Sequence, residues 1–417
     1  MEYNCLSLNQ IADNITEKIS IDDISTLNYI STENMIVNKA GVEEASKLPN
    51  TKKVNFYRKK DILVSNIRPY FKKIWQADND GGASADVLIY RANQNYIDEE
   101  YLYYFLSQDS FFDFMVQTSK GTKMPRGDKN AIANYEVSFP KNIVYQRKVA
   151  SIGRTIDEKI KLNKKTIANL EELSQTLFKR WFVDFEFPDE NGNPYKTSGG
   201  KFVNSEVGQI PIGWDIRELN DLVKNKKDTF NPKSFSEHQV VHFSLPAYDN
   251  GEIPILENVT DIKSNKWYID DNCVLFSKMN PRTMRVWLTD VSSDFLNVCS
   301  TEFVVLKSDS KKQNAFIYNI CKSSNFADYL QSNATGSTNS RQRIRPGIAL
   351  EYKLAISDAT MIHLGELLEP YIDKISILRR EIVSLIDLRD TLLPKLMSGE
   401  IELPDELEVD EHAKLLQ

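Results

Sequence analysis

The chain has 417 residues, 41% of them hydrophobic and 27% charged, with a net charge of −7, which leaves room for two hydrophobic cores and their connections. No run of eighteen apolar residues occurs, and the N-terminus MEYNCLSLNQIADNIT has no basic stretch followed by an apolar one, so neither a membrane anchor nor a signal peptide is expected and the location is read as cytoplasmic. Four cysteines (Cys5, Cys273, Cys299, Cys321) lie far apart without a C-x-x-C pair, which argues against a disulfide scaffold or zinc ribbon.

In chain order, residues 1–145 read as an α/β domain. Asp61 to Ser65, Ser84 to Tyr90 and Ala133 to Phe139 have strand patterns, and Asp98 to Val116 reads as an aromatic-rich helix. Residues 146–185 form a long helix with an apolar stripe of Val149, Ile152, Ile156, Ile160, Ile167, Leu170, Leu173 and Leu177, interrupted only by Asn163. A rod of about 50 Å cannot hide such a stripe by itself and needs a second helix. Residues 186–209 are a polar, glycine-containing linker. Ile210-Pro-Ile-Gly-Trp214 opens a second domain, 210–360. Residues 361–400 repeat the helical spacing through Leu364, Leu368, Tyr371, Ile375, Leu378, Ile382, Leu385, Leu388, Leu392 and Leu396, and 401–417 form an acidic tail.

The second half retraces the first. A shift of about 215 positions lays Ile160 on Ile375, Ile167 on Ile382, Leu170 on Leu385 and Leu177 on Leu392, and the exits Phe185-Glu-Phe-Pro-Asp-Glu190 and Ile401-Glu-Leu-Pro-Asp-Glu406 agree. Ile62-Leu-Val-Ser65 answers Val274-Leu-Phe-Ser277, Ala85-Asp86-Val87 answers Thr301-Glu302-Phe303, and Gly121-Thr122 with Arg126 answers Gly336-Ser337 with Arg341. The expected fold is therefore α+β: a tandem repeat of two similar α/β domains separated by an antiparallel two-helix coiled coil with a pseudo-twofold axis. Domains some 40 to 50 Å apart on such a spacer could reach two DNA sites about one helical turn apart.

Although the whole chain is acidic, base gathers at matching places in both domains. In the first, Arg68, Lys72 and Lys73 accompany Ser65, Asn66 and Tyr70, and a second loop holds Lys120, Gly121, Thr122, Lys123 and Arg126. In the second, Lys278, Arg282 and Arg285 accompany Ser277 and Asn280, followed by Gly336, Ser337, Asn339, Arg341, Arg343 and Arg345. Arg and Lys suit phosphates, Arg can fork onto guanine and Asn can pair with adenine, so these loops fit groove readout. Solvated surface is the competing explanation, and recurrence at equivalent places weighs against it. Because the loop chemistry differs between the copies, two half-sites of unlike sequence are expected.

Catalytic motifs are scarce. There is no phosphate-binding G-x-x-x-x-G-K-[ST] and no Asn-Pro-Pro-aromatic or Asp-Pro-Pro-aromatic methyltransferase tetrapeptide. Glu351-Tyr-Lys353 has nuclease-like spacing, but its counterpart is Tyr135-Glu-Val137, and His238 and His242 lie in a strand pattern without a third ligand. An enzyme, a DNA methyltransferase or nuclease with unrecognised motifs, is the alternative.

Over essentially its whole length the chain resembles the specificity subunit of a type I restriction-modification enzyme. The resemblance is carried by Leu170-Glu-Glu-Leu with Leu177-Phe-Lys-Arg-Trp-Phe182, Gly208-Gln-Ile-Pro-Ile-Gly-Trp214, Leu388-Arg-Asp-Thr-Leu-Leu-Pro394-Lys-Leu-Met-Ser-Gly399 and the two Gly-Thr/Gly-Ser loops. It implies two target-recognition domains, each binding half of a bipartite double-stranded DNA target, with the helices fixing the gap. It also implies a non-catalytic chain without metal or cofactor of its own. Two modification (methyltransferase) subunits docked on the helices would bring S-adenosylmethionine, and restriction subunits would bring ATP and Mg. By the same resemblance, Ser65 to Lys73 with Lys120 to Arg126, and Ser277 to Arg285 with Thr335 to Arg345, would contact DNA.

Overall fold

The computed structural model describes residues 1–235, 238–291, 294–336 and 342–404. They fall into two compact units, one of residues 1–161 with 384–404 and the other within 162–383.

In the first unit, strand Ile62–Ser65 lies inside a four-stranded sheet ordered Ala12–Asn14, Val87–Ala92, Ile62–Ser65, Ile74–Gln76. All four of its residues are buried, which is why it reads as an unbroken apolar run rather than an alternating one. Leu63 faces Ile89 on one side and Trp75 on the other. A second sheet runs Lys18–Ser20, Lys53–Tyr57, Gly81–Ala83, Tyr29–Ile30, its last pair parallel. Strand Tyr3–Ser7 pairs with Glu136–Pro140. The single helix expected from Asp98 is two, Glu99–Leu106 and Asp109–Gln117. The break comes where the Ser107 hydroxyl bonds back to the Tyr103 carbonyl and Gln108 turns extended to start the next helix.

The second unit builds the same topology again. Its first sheet is ordered Lys224–Lys226, Phe303–Lys307, Cys273–Ser277, Val286–Leu288, with Leu275 between Val305 and Trp287. The other runs Thr229–Phe230, Lys266–Tyr268, Leu296–Ser300, Gln239–Phe243, again with a parallel last pair, and adds the strand Ile255–Asn258. Asp215–Glu218 pairs with Lys353–Ile356. The segment read as a linker holds much of the hairpin Phe202–Ser205 with Gly208–Pro211. Phe187 stacks on Tyr195 at 4.7 Å and meets Trp214 at 4.9 Å, so this segment folds onto the end of the first long helix; Trp181 and Trp214 are buried there.

The long helices are Ile143–Phe182, 40 residues, and Asp358–Ser398, 41 residues. Within the first unit Tyr145 reaches the Leu396 carbonyl and Asp157 meets Arg389; within the second, Glu171 meets Arg379 and Trp181 lies on His363. In each unit one helix therefore descends in number as the other rises, which is antiparallel pairing. Two stripe positions depart from expectation. Leu173 and Leu388 are 43% and 49% exposed, and Ser174 and Arg389 turn inward in their place. The straight helix advances 3.6 residues per turn, so a stripe laid out at 3.5 drifts off the contact line; both copies drift at the same repeat position.

Each domain is tied to the helix pair by a tyrosine, an acid and an arginine. Tyr104 donates to Asp157 Oδ2 at 2.9 Å, and Arg389 Nη1 donates to Oδ1 at 2.6 Å. Tyr318 donates to Glu171 Oε1 at 2.8 Å, and Arg379 Nη2 to the same oxygen at 3.0 Å. Close approach is secured by glycine inside each long helix: a Cβ on Gly153 would lie 2.7 Å from the Tyr104 ring, and one on Gly365 2.6 Å from the Lys312 carbonyl oxygen. Gly365→Ala would gain about 1 kcal/mol of helix propensity on an exposed helix. Here the obstacle is backbone, so a net loss of about 1 to 3 kcal/mol is expected. A urea midpoint at or above that of the parent chain would refute this.

Candidate nucleic-acid interface

Strand Ile62–Ser65 ends in a turn that leads back to Ile74–Gln76. The Ser65 hydroxyl donates to the Ile67 carbonyl at 3.1 Å, and the short 3₁₀ segment Pro69–Phe71 is bracketed by Arg68 and Lys72, both left-handed at φ 49°. Such a backbone costs a non-glycine residue on the order of 1 kcal/mol or more, so the turn needs outside support. That support is the loop Lys120 to Arg126. Lys120 and Arg126 exchange backbone hydrogen bonds of 2.9 and 3.0 Å, and the Arg68 N–H donates to the Pro125 carbonyl at 2.8 Å. Gly127 N–H reaches the Asn66 carbonyl at 3.1 Å, and Asn66 N–H reaches that of Asp86 at 2.8 Å. Turn and loop are thus one stitched element.

The second unit repeats the stitching bond for bond. Ser277 Oγ donates to the Met279 carbonyl at 3.1 Å, Asn280 is left-handed at φ 48°, and its N–H donates to Gln342 at 2.9 Å. Ile344 N–H reaches Lys278, Lys278 N–H reaches Glu302, and Thr335 and Arg343 exchange bonds of 2.9 Å. The arginine equivalent to Arg126 is therefore Arg343, not Arg341. Counting forward from the shared glycine misaligns them because the second loop is two residues longer; backbone pairing restores the register.

Burial sorts the expected contact residues. Ser65, Asn66 and Ser277 are 2%, 4% and 5% exposed and shape the turns from beneath. Lys72 pairs with Asp109 at 2.9 Å, and Lys73 donates to the Thr32 carbonyl at 2.7 Å, burial lowering its pKa against the raising influence of Glu43. Arg285 is held by both oxygens of Asp249 at 2.6 and 3.0 Å. Lys120 pairs with Asp128, the N-cap of helix Lys129–Ala133. Lys278 is half-buried.

The outward-facing set is smaller. Tyr70 is exposed and leans on Phe71, and Gly121, left-handed at φ 94°, turns the loop so that Thr122 and Lys123 stand at its tip, with Arg126 exposed at its base. In the second unit Gly336, Arg282, Arg343 and Arg345 are exposed. Lys123, Arg282 and Arg345 make no ion pair with any described residue. Ser337, Asn339 and Arg341 lie outside the described residues. His242 binds Glu257 through Nδ1 at 2.6 Å, and burial lowers its pKa.

Two residues absent from the expected set belong to the site. Asp86 lies 3.2 Å from the Arg126 guanidinium, and Glu302 Oε1 accepts from Arg343 Nη2 at 3.3 Å. Their recurrence in the repeat was the available signal, although an acid in a basic loop cluster does not announce a contact. Chemically, each unit presents a braced loop pair with exposed guanidinium and ammonium groups, donors suited to phosphate oxygens and base edges.

No family model matches the chain. It is 23% identical over 323 positions to the MjaIX type I restriction enzyme specificity subunit of Methanocaldococcus jannaschii, covering 73% of this chain and 70% of that one. It is 23% identical over 470 aligned positions to the HindI type I restriction enzyme specificity subunit of Haemophilus influenzae, covering 95% and 98%. The crystal structure of the S subunit of a type I restriction-modification system from M. genitalium superposes with a TM-score of 0.56 over 95% of this chain and 96% of that one, at 14% identity, which shows a shared fold.

Proposed function

We infer that this chain, a type I restriction enzyme specificity subunit, is the DNA-recognition subunit of its restriction-modification complex, each domain binding one half of a bipartite target. The observation that carries the reading is the turn-and-loop element built twice with the same backbone bonds and, beside the shared arginine, different outward side chains, Tyr70 and Lys123 against Arg282 and Arg345. A common brace with unlike tips suits two unlike half-sites. Base contacts specify and phosphate contacts position, and the exposed arginines can do either.

The finer assignments follow from the same reading. The two uninterrupted helices set the gap between half-sites and dock two modification subunits, which bring S-adenosylmethionine; ATP and Mg belong to restriction subunits, and this chain is non-catalytic. Support for paired docking comes from apolar residues left exposed at matching places, Leu162 and Leu173 on the first helix and Ile377 and Leu388 on the second. Among the described residues no helix is long and apolar enough to cross a membrane.

Mapping methylated adenines in cells with and without this gene tests the reading. A split motif present only with the gene is expected, and exchanging residues 1–145 for the matching domain of a relative should change one half of that motif. A motif that is unsplit, or altered in both halves by the exchange, would overturn it.

A further inference from the structure

We propose that Asp86 and Glu302 are positioning residues that set specificity: each holds the loop arginine, Arg126 or Arg343, so that its free edge meets a base in the major groove rather than a phosphate. This rests on the DNA-recognition reading above. The acids occupy the same rung of the two braces, their backbone carbonyls taking the N–H of Asn66 at 2.8 Å and of Lys278 at 3.0 Å. From that fixed point each carboxylate reaches its arginine, at 3.2 Å in the first unit and 3.3 Å in the second. The contact is kept although one acid is Asp and the other Glu and although the loops differ in length and composition. The pair is also not simply bathed in solvent: Glu302 is half-buried, and its Oε2 is buried with no hydrogen-bond partner among the described residues, while both arginine side chains remain more than half exposed.

A guanidinium offers five N–H donors in a rigid plane, so one engaged with an acid still has an edge to give. Guanine O6 and N7 accept two such donors. The neighbouring carboxylate has a second effect. It cancels the charge that draws a free arginine to any phosphate and repels a phosphate brought alongside, which lowers binding to all DNA and raises the difference between right and wrong sequences.

The test uses the full chain assembled with its modification subunits and three probes: a duplex bearing the mapped target, duplexes with one base pair changed in one half, and a scrambled duplex. Glu302→Gln should bind the scrambled duplex more tightly than the parent does. It should lose about ten-fold of its discrimination in the half read by the second domain and keep it in the other. Glu302→Asp, which retains the carboxylate, should recover part of that loss, and Asp86→Asn should mirror the effect in the opposite half. Unchanged discrimination in Glu302→Gln, or equal loss in both halves together with a lowered melting temperature, would overturn the positioning role. A parent complex with no split target would instead overturn the functional reading on which it stands.

Discussion

Arg343→Ala should cost the assembled complex about 1 to 3 kcal/mol of binding to its target, about five- to 150-fold, with the loss confined to one half-site. Arg126→Ala should do the same to the other half. The confinement follows from the two braces: each arginine exchanges backbone bonds within its own loop, Arg126 with Lys120 and Arg343 with Thr335, and each loop is bonded to the turn of its own unit through Arg68 or Asn280. Competition binding against duplexes altered in one half at a time separates the contributions. Two other patterns are possible. Equal weakening on target and scrambled duplex, with the salt slope reduced by about one, would make the arginine a phosphate clamp. No weakening in either variant would remove the loops from the interface.

Arg379→Ala is expected to destabilise the free chain by about 3 to 5 kcal/mol, the cost of breaking a buried ion pair by removing one partner. Its side chain is 14% exposed and serves Glu171 at 3.0 Å and also Glu252, while Tyr318, itself buried, donates to Glu171. Burial by itself would discourage the charge on Arg379, but Tyr318, Glu252 and Glu171 together outweigh it and raise its pKa. Without the guanidinium two carboxylates share a partly buried site, with Lys322 at 3.3 Å from Glu171 as partial compensation, which places the loss toward the lower end of the range. Urea unfolding of the full chain measures it. A shift worth less than about 1 kcal/mol would mean that the network behaves as a solvated surface pair.

Much of the architecture was readable in advance because it is written as periodicity and repetition. Apolar residues every three or four positions required two partnered helices, and Ile62-Leu-Val-Ser65 against Val274-Leu-Phe-Ser277 marked the same inner strand twice. The turns lie directly after the inner strands, and the loops directly after the helices Asp109–Gln117 and Ser324–Ser332. Their side-chain roles were not readable. Ser65, Asn66 and Ser277 look like surface polar residues in the sequence, yet they lie under the turns they shape.

Local pattern settled the buried inner strands and the two long helices, since those features depend on neighbours within a few residues, and self-similarity along the chain settled that a domain and helix are built twice. Which arginine is equivalent to which, which acid touches it, and whether Leu173 or Ser174 faces the partner helix were settled by packing. Each of these depends on a backbone pairing or a helix phase between residues far apart in number, where a two-residue insertion or a drift of a tenth of a residue per turn decides the outcome.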